Sequence, residues 1–172
     1  MRASNDTTGR RAPYDALVTS MGKSSTAEVL DRVLGSGGSG HADVLAAMTA
    51  AHHAAWTATS PRLLELCRVR IATMLGCTAE ASMRTPDSDV APELLDVIAS
   101  WPTNERFGDV DRACLALTEH YVMDVASVDD ATVAAVREHL GDEGLQNFVS
   151  ALLVVEQRIR LRLIWDRLLS TD

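Results

Sequence analysis

The chain has 172 residues, 47% of them hydrophobic and 4% aromatic, with 24 acidic against 16 basic side chains and a formal charge of −8. That length suits one compact domain with a core that needs no staples, and the acidic balance argues against nucleic acid or an anionic membrane surface as partner, since both attract basic proteins. Three cysteines are too few and too odd in number for a secreted disulfide scaffold; with no secretory apolar run near the N-terminus and no stretch of the ~20 apolar residues that a membrane span needs, a cytoplasmic location is expected.

Residues 1–25 are polar and rich in Ser, Thr, Gly and Arg, the composition of a flexible arm, and a single helical domain is expected over 26–172. Ser25 or Thr26 caps a short helix through Leu34, with Val29, Leu30 and Val33 on its apolar side. The run Gly35-Ser36-Gly37-Gly38-Ser39-Gly40 has no strand before it, so it reads as a linker and not as a phosphate-cradling loop. The helix predicted over His41–Thr57 is alanine-dense, with Val44, Leu45, Met48, Ala51, Ala55 and Trp56 on one broad face. His52 and His53 read as surface or interface histidines, and nothing at ligand spacing supports a metal there.

Ser60 followed by Pro61 opens the next helix, because proline presets φ and loses only an N–H that has no intrahelical partner. Leu63, Leu66, Val69 or Arg70, and Thr73 or Met74 trace an apolar face, while Glu65, Arg68 and Arg70 place charge on the other sides. Gly76 interrupts the pattern and Cys77 follows directly. Thr85 to Asp89 reads as a turn, Pro92 opens a helix through Ser100, and a loop over 101–105 precedes a helix capped by Asp109 and running to Asp124. Ser127 and Asp130 resemble a capping box for a helix that Gly141 stops, and Asp142 begins a last helix to about Leu169, roughly 40 Å long at ~1.5 Å per residue. With no strand signal and an Ala/Leu/Val-dominated composition, the fold class is all-α.

The order Glu65, Arg68, Arg70, Ala72, Gly76, Cys77 resembles the carboxymuconolactone decarboxylase and AhpD-like alkylhydroperoxidase family, whose helix carries a proton-relay glutamate, a C-x-x-C pair and a histidine four residues after the second cysteine. Here Glu80 stands at the position of the second cysteine and Arg84 at that of the histidine. The resemblance covers about residues 41–165 and implies an AhpD-like helical bundle that assembles as a homo-oligomer, a trimer or hexamer, without a cofactor. It also implies that Glu65 is a relay acid. In AhpD-like relatives the second cysteine attacks peroxide; a carboxylate cannot, so a two-cysteine peroxidase cycle does not run within this motif.

Each candidate residue carries a structural alternative. Cys77, at the start of a helical turn, is either a reactive thiol lowered in pKa by unpaired backbone N–H groups or an inert buried one. Glu65 lies twelve residues from Cys77, roughly 18 Å along a straight helix, so a relay requires the chain to bend at Gly76 or another subunit to contribute; otherwise Glu65 is a helix-surface acid paired with Arg62 or Arg68. Glu80 and Glu65, if they face one cavity, divide acid and base roles. Arg84 either pairs with Glu80 one turn away or binds an anionic substrate. His120 with Asp124 is an acid–base couple at a substrate site or a solvated helix end. Glu156 falls in the apolar stripe Leu145, Val149, Leu152, Glu156, Ile159, Leu163 and needs a partner, for which Arg112, Arg158 and Arg160 are candidates.

The expected function is that of a decarboxylase-like, cofactor-free enzyme doing acid–base chemistry on a small, anionic organic substrate. Glu65, Cys77 and Glu80 form its catalytic set, and Arg84 and His120 bind substrate. The alternatives are a peroxidase or thiol oxidoreductase using Cys77 with an external reductant, and a non-catalytic helical binding or scaffold protein.

Overall fold

The computed structural model describes residues 28–31, 39–85 and 88–169. The expected N-terminal arm and most of the Gly/Ser run lie outside the described residues; of the short helix expected up to Leu34, residues 28–31 are helical, with Val29 and Leu30 buried. The architecture is all-α, with no strand among the described residues. Helix α1 spans Ser39–Ala58, α2 Pro61–Met74, α3 Thr78–Ser82, α4 Pro92–Leu95, α5 Asp109–Met123 and α6 Asp130–Leu169, with single 3₁₀ turns at Ile98–Ser100 and Val125–Ser127. Among the described residues no helix is long and apolar enough to cross a membrane.

Helix α2 is the centre of the packing. It touches α1, α3, α5 and α6, and every residue from Leu63 to Val69 is buried, together with Ile71 and Ala72. The charged residues of its sequence therefore do not mark a solvent face: Glu65 and Arg68 lie inside. Ser60 caps the helix as expected, its hydroxyl accepting from the Leu63 N–H, with Pro61 in the first turn.

At its other end the expected break at Gly76 is a Schellman turn. Gly76 adopts φ +71, its N–H reaches Thr73 O (3.3 Å), and Cys77 N–H reaches Ala72 O (2.8 Å). The chain reverses there, and α3 packs back against α2.

Helix α6 bends at Gly141, where φ is 71 and ψ 177, so that 130–140 and 142–169 are two limbs. A glycine is required, because that backbone region is closed to residues with a Cβ. The Cα of Gly144 also lies under the bend: a Cβ added there would stand 2.9 Å from Leu140 Cβ. The second limb runs along the core, contributing Phe148, Ala151, Leu152, Val155 and Ile159 to the same apolar cluster as α2.

Four expectations are corrected. The buried face of α1 is turned relative to the apolar stripe: His52 and Ala55 are buried, whereas Val44 and Ala51 are exposed, because α2 and α6 cover only the side bearing His52. The stretch after Pro92 is a single turn of α-helix followed by a 3₁₀ turn, not one helix. Asp109 is the first residue of α5, and the start is held by Asp111, whose Oδ2 accepts from Gly108 N–H (3.2 Å) and from Arg62 Nη2 (2.8 Å). Helix α6 is capped by Asp129, whose Oδ1 accepts from Thr132 N–H (2.7 Å), while Ser127 closes the preceding 3₁₀ turn.

Gly141→Ala should lower the unfolding free energy by about 1–3 kcal/mol, the cost of a non-glycine residue in that region. Gly108→Ala is the control: φ is −73 there and an added Cβ meets nothing within 4 Å, so no strain is added, and the gain from a stiffer unfolded chain is offset by the loss of a residue better suited than alanine to an N-cap, a net change within about 0.5 kcal/mol. Denaturant titration of the two variants checks the contrast.

Candidate active site

The reversal at Gly76 decides where the functional side chains meet. Arg68 projects from α2 between Glu65, one turn earlier on the same helix, and Glu80 on the returning α3; all three are buried. Arg68 Nε donates to Glu65 Oε2 (2.8 Å) and Nη2 to Glu65 Oε1 (2.9 Å), a two-pronged grip on one carboxylate. Its Nη1 donates to Glu80 Oε2 (3.1 Å) and to the Glu80 carbonyl (2.6 Å), and Nη2 also donates to the Met83 carbonyl (2.8 Å). These bonds match the five N–H donors of a guanidinium.

Glu65 receives two more bonds, from Thr85 N–H (3.1 Å) and Thr85 Oγ1 (2.8 Å). Burial alone pushes its carboxyl up; the hydrogen bonds and charge of Arg68, with the two bonds from Thr85, outweigh it and hold the group below its ordinary value. Glu65 is thus an ionised, four-bonded carboxylate at neutral pH.

Cys77 is buried at the N-cap of α3. Its thiol is pushed up, first by burial and also by the charges of Glu80 and Asp166, against the opposing effects of a Glu80 backbone hydrogen bond and Arg162. The lowering expected from the helix start does not prevail, because α3 is only five residues long and the thiol is shut away from water. Cys67 and Cys114 are buried as well; burial raises both, Cys114 to about 12, and Cys67 finds a partner in the Thr118 hydroxyl. All three cysteines are free thiols.

The structure brings Glu65, Cys77 and Glu80 together and leaves Arg84 and His120 apart from them. Arg84 is exposed; it donates to the Ala81 and Met83 carbonyls (2.8 and 3.0 Å) and faces Asp96 at 3.5 Å, so it does not pair with Glu80. His120 lies on α5 with a buried Nδ1 that has no hydrogen-bond partner among the described residues. Asp124 meets it through the backbone: its N–H donates to the His120 carbonyl. Glu156 is paired with Arg160, whose Nε and Nη2 donate to Oε1 (2.9 and 2.7 Å). Arg112 is occupied elsewhere, donating to the carbonyls of Trp101, Pro102, Asn104 and Phe107 and so fixing the loop before α5.

Two residues take roles that the sequence does not assign them. Arg68 is expected only as a partner for Glu65, and its pairing with Glu80 depends on the tertiary reversal. His52, expected at the surface or an interface, is buried, with Trp56 Nε1 donating to its Nε2 (3.2 Å). Burial first, then the charges of Arg158, His53 and Arg68, lower its pKa to about 3, so the ring is neutral and its proton resides on Nδ1. The i, i+4 spacing of His52 and Trp56 was the available signal.

Among the described residues, no group of three His, Cys, Asp or Glu side chains could hold a metal ion. In comparison with known proteins, no family model matches the chain and no curated protein matches it.

The depressed Glu65 fixes the sign of an acid effect. Its contribution to stability is complete above its ordinary value of 4.5 and is lost as pH falls through the lower folded-state value. Unfolding free energy measured from pH ~6 to ~2.5 should therefore drop on the acid side, and Glu65→Gln should make that drop shallower while lowering stability at neutral pH. An unchanged acid slope in the variant would show that other carboxylates carry it.

Proposed function

We propose that the chain is a carboxymuconolactone decarboxylase-like protein with an AhpD-like helical fold, acting without a cofactor on a small, anionic organic substrate by acid–base chemistry. The observation that carries this is the shared arginine: two carboxylates fifteen residues apart in sequence meet on one buried guanidinium, with a thiol beside them. In this reading the two acids have unequal tasks. Glu65, with four hydrogen bonds, holds Arg68 in place and stays ionised. Glu80, carried on the returning α3 and also bound to Arg68, exchanges the proton when a substrate anion competes for Arg68, and Cys77 lines the site.

The saturation of Arg68 also favours a second reading, a non-catalytic helical binding or scaffold protein in which the three charges only lock α3 onto α2. A thiol oxidoreductase based on Cys77 finds less support, since burial keeps that thiol protonated. Assay of carbon dioxide release from carboxymuconolactone separates the three. The enzyme reading expects turnover that Glu80→Gln cuts by about 10²–10⁴-fold and that Cys77→Ser barely changes. Peroxide consumption lost in Cys77→Ser would favour the thiol reading, and absence of both activities the scaffold.

The same proposal includes assembly into trimers or hexamers, with α1 and α6 at the interfaces. Val44 and Ile164 support it, because each leaves about half of its large apolar side chain exposed on those helices. Light scattering on the full chain should give three or six times the 18.5 kDa protomer mass; a monomer overturns it.

A further inference from the structure

Helix α1 and the second limb of α6 lie side by side and leave a half-open groove of about 200 Å³ between them. Met48 and Ala51 from α1 and Leu153 and Val154 from α6 supply its apolar lining. His52, Gln157 and Arg158 also line it, one position or one turn further along the same helices. The two helices thus present one face each: i, i+3, i+4 on α1 and i, i+1, i+4, i+5 on α6.

Arg158 is the anomaly of this groove. It is only 8% exposed, yet it makes no hydrogen bond or ion pair with any described residue. The carboxylates on which it would otherwise draw are held by other arginines: Glu156 by Arg160, Asp166 by Arg162, and Glu65 and Glu80 by Arg68. A guanidinium withdrawn from water without a counter-charge is costly, and this one borders a cavity. Its neighbour His52 adds no charge, since its Nε2 is engaged by Trp56 and the ring is neutral. The groove therefore combines apolar walls with one unspent positive charge.

We propose that this groove is a binding site for a small monocarboxylate with an apolar body, its carboxylate taken by the Arg158 guanidinium and its hydrocarbon part lying between Met48, Ala51, Leu153 and Val154. Arginine suits the task because its planar fork meets both carboxylate oxygens at once. The cavity is smaller than the ~300–1,000 Å³ of sites for drug-sized ligands, which fits hexanoate or benzoate. The groove takes none of the residues of the Glu65–Arg68–Glu80 group, although the charge of Arg68 reaches its His52, and the proposal stands whether or not that group is catalytic.

Calorimetric titration of the full chain with hexanoate, benzoate, 1-hexanol and inorganic phosphate tests it. Hexanoate and benzoate should bind saturably, with hexanol and phosphate each about tenfold weaker or more. Arg158→Gln should weaken hexanoate by about ten- to a hundredfold, with Arg158→Lys in between. Ala51→Phe, which fills the groove at an exposed position and leaves Arg158 in place, should abolish binding with the helical circular dichroism unchanged; it keeps the proposal testable if Arg158→Gln fails to fold. Several outcomes overturn it: no saturable binding by the wild type, hexanol binding as tightly as hexanoate, phosphate binding as tightly as hexanoate, or hexanoate affinity unaffected by Ala51→Phe. A groove closed by a second copy would appear as absent binding together with a change in molar mass in Ala51→Phe, and this also overturns it.

Discussion

One guanidinium, buried between two carboxylates, is the constraint on which the arrangement around α2 depends. Two buried acids share this one base, and the group is tolerable in the interior because its polar atoms meet partners: Thr85 brings a backbone N–H and a hydroxyl to Glu65, and Arg68 also ties down the Glu80 and Met83 carbonyls. Such a cluster contributes little to net stability, because desolvation offsets most of the attraction. Its value is geometric. It fixes where α3 ends and where the chain at Thr85 must pass, since any other path would leave a buried charge unpaired.

The cluster can form only because the backbone reverses at Gly76. The turn places α3 alongside the helix it has just left, so that residues far apart along the chain share one polar pocket in an otherwise apolar core. Cys77 shares the consequence. The same reversal that brings the thiol near Glu80 also buries it, and burial outweighs the helix start as an influence on its ionisation. A position that favours a thiolate in an exposed turn therefore yields a protonated thiol here.

Arginines elsewhere show how similar side chains take different tasks according to what surrounds them. Arg112 reaches four carbonyls and closes the loop before α5, doing the work of a local strut. Arg160 neutralises the acid embedded in the apolar stripe of α6, where the Tyr121 hydroxyl also hydrogen-bonds to Glu156. Arg70 shares Glu119 with the Trp101 indole, each donating at 2.6 Å, and so ties α2 to α5 and to the loop after the first 3₁₀ turn. Arg158 alone among these makes no hydrogen bond or ion pair with a described residue and lines a groove, so the charge that the fold does not use is left for a ligand.

Much of the helical order was legible in the residues themselves: Pro61 after Ser60, glycine at 76 and 141, and the acid set into the stripe of α6 are local signals, and local backbone chemistry reads the same in any fold. The exclusion of strands rested on composition in the same way. Sidedness was not legible. Glu65 and Arg68 look like solvent-facing charges on an amphipathic helix, and they are buried because neighbours cover α2 on every side, a fact of packing that no periodicity within the helix contains. His52 turned inward for the same reason, and Asp129 took the cap expected of Ser127 because of the 3₁₀ turn before it. Sequence by itself determined where the chain turns, since steric rules act on each residue alone; tertiary structure decided which charges meet, because burial and pairing belong to elements that come together only after the turns are made.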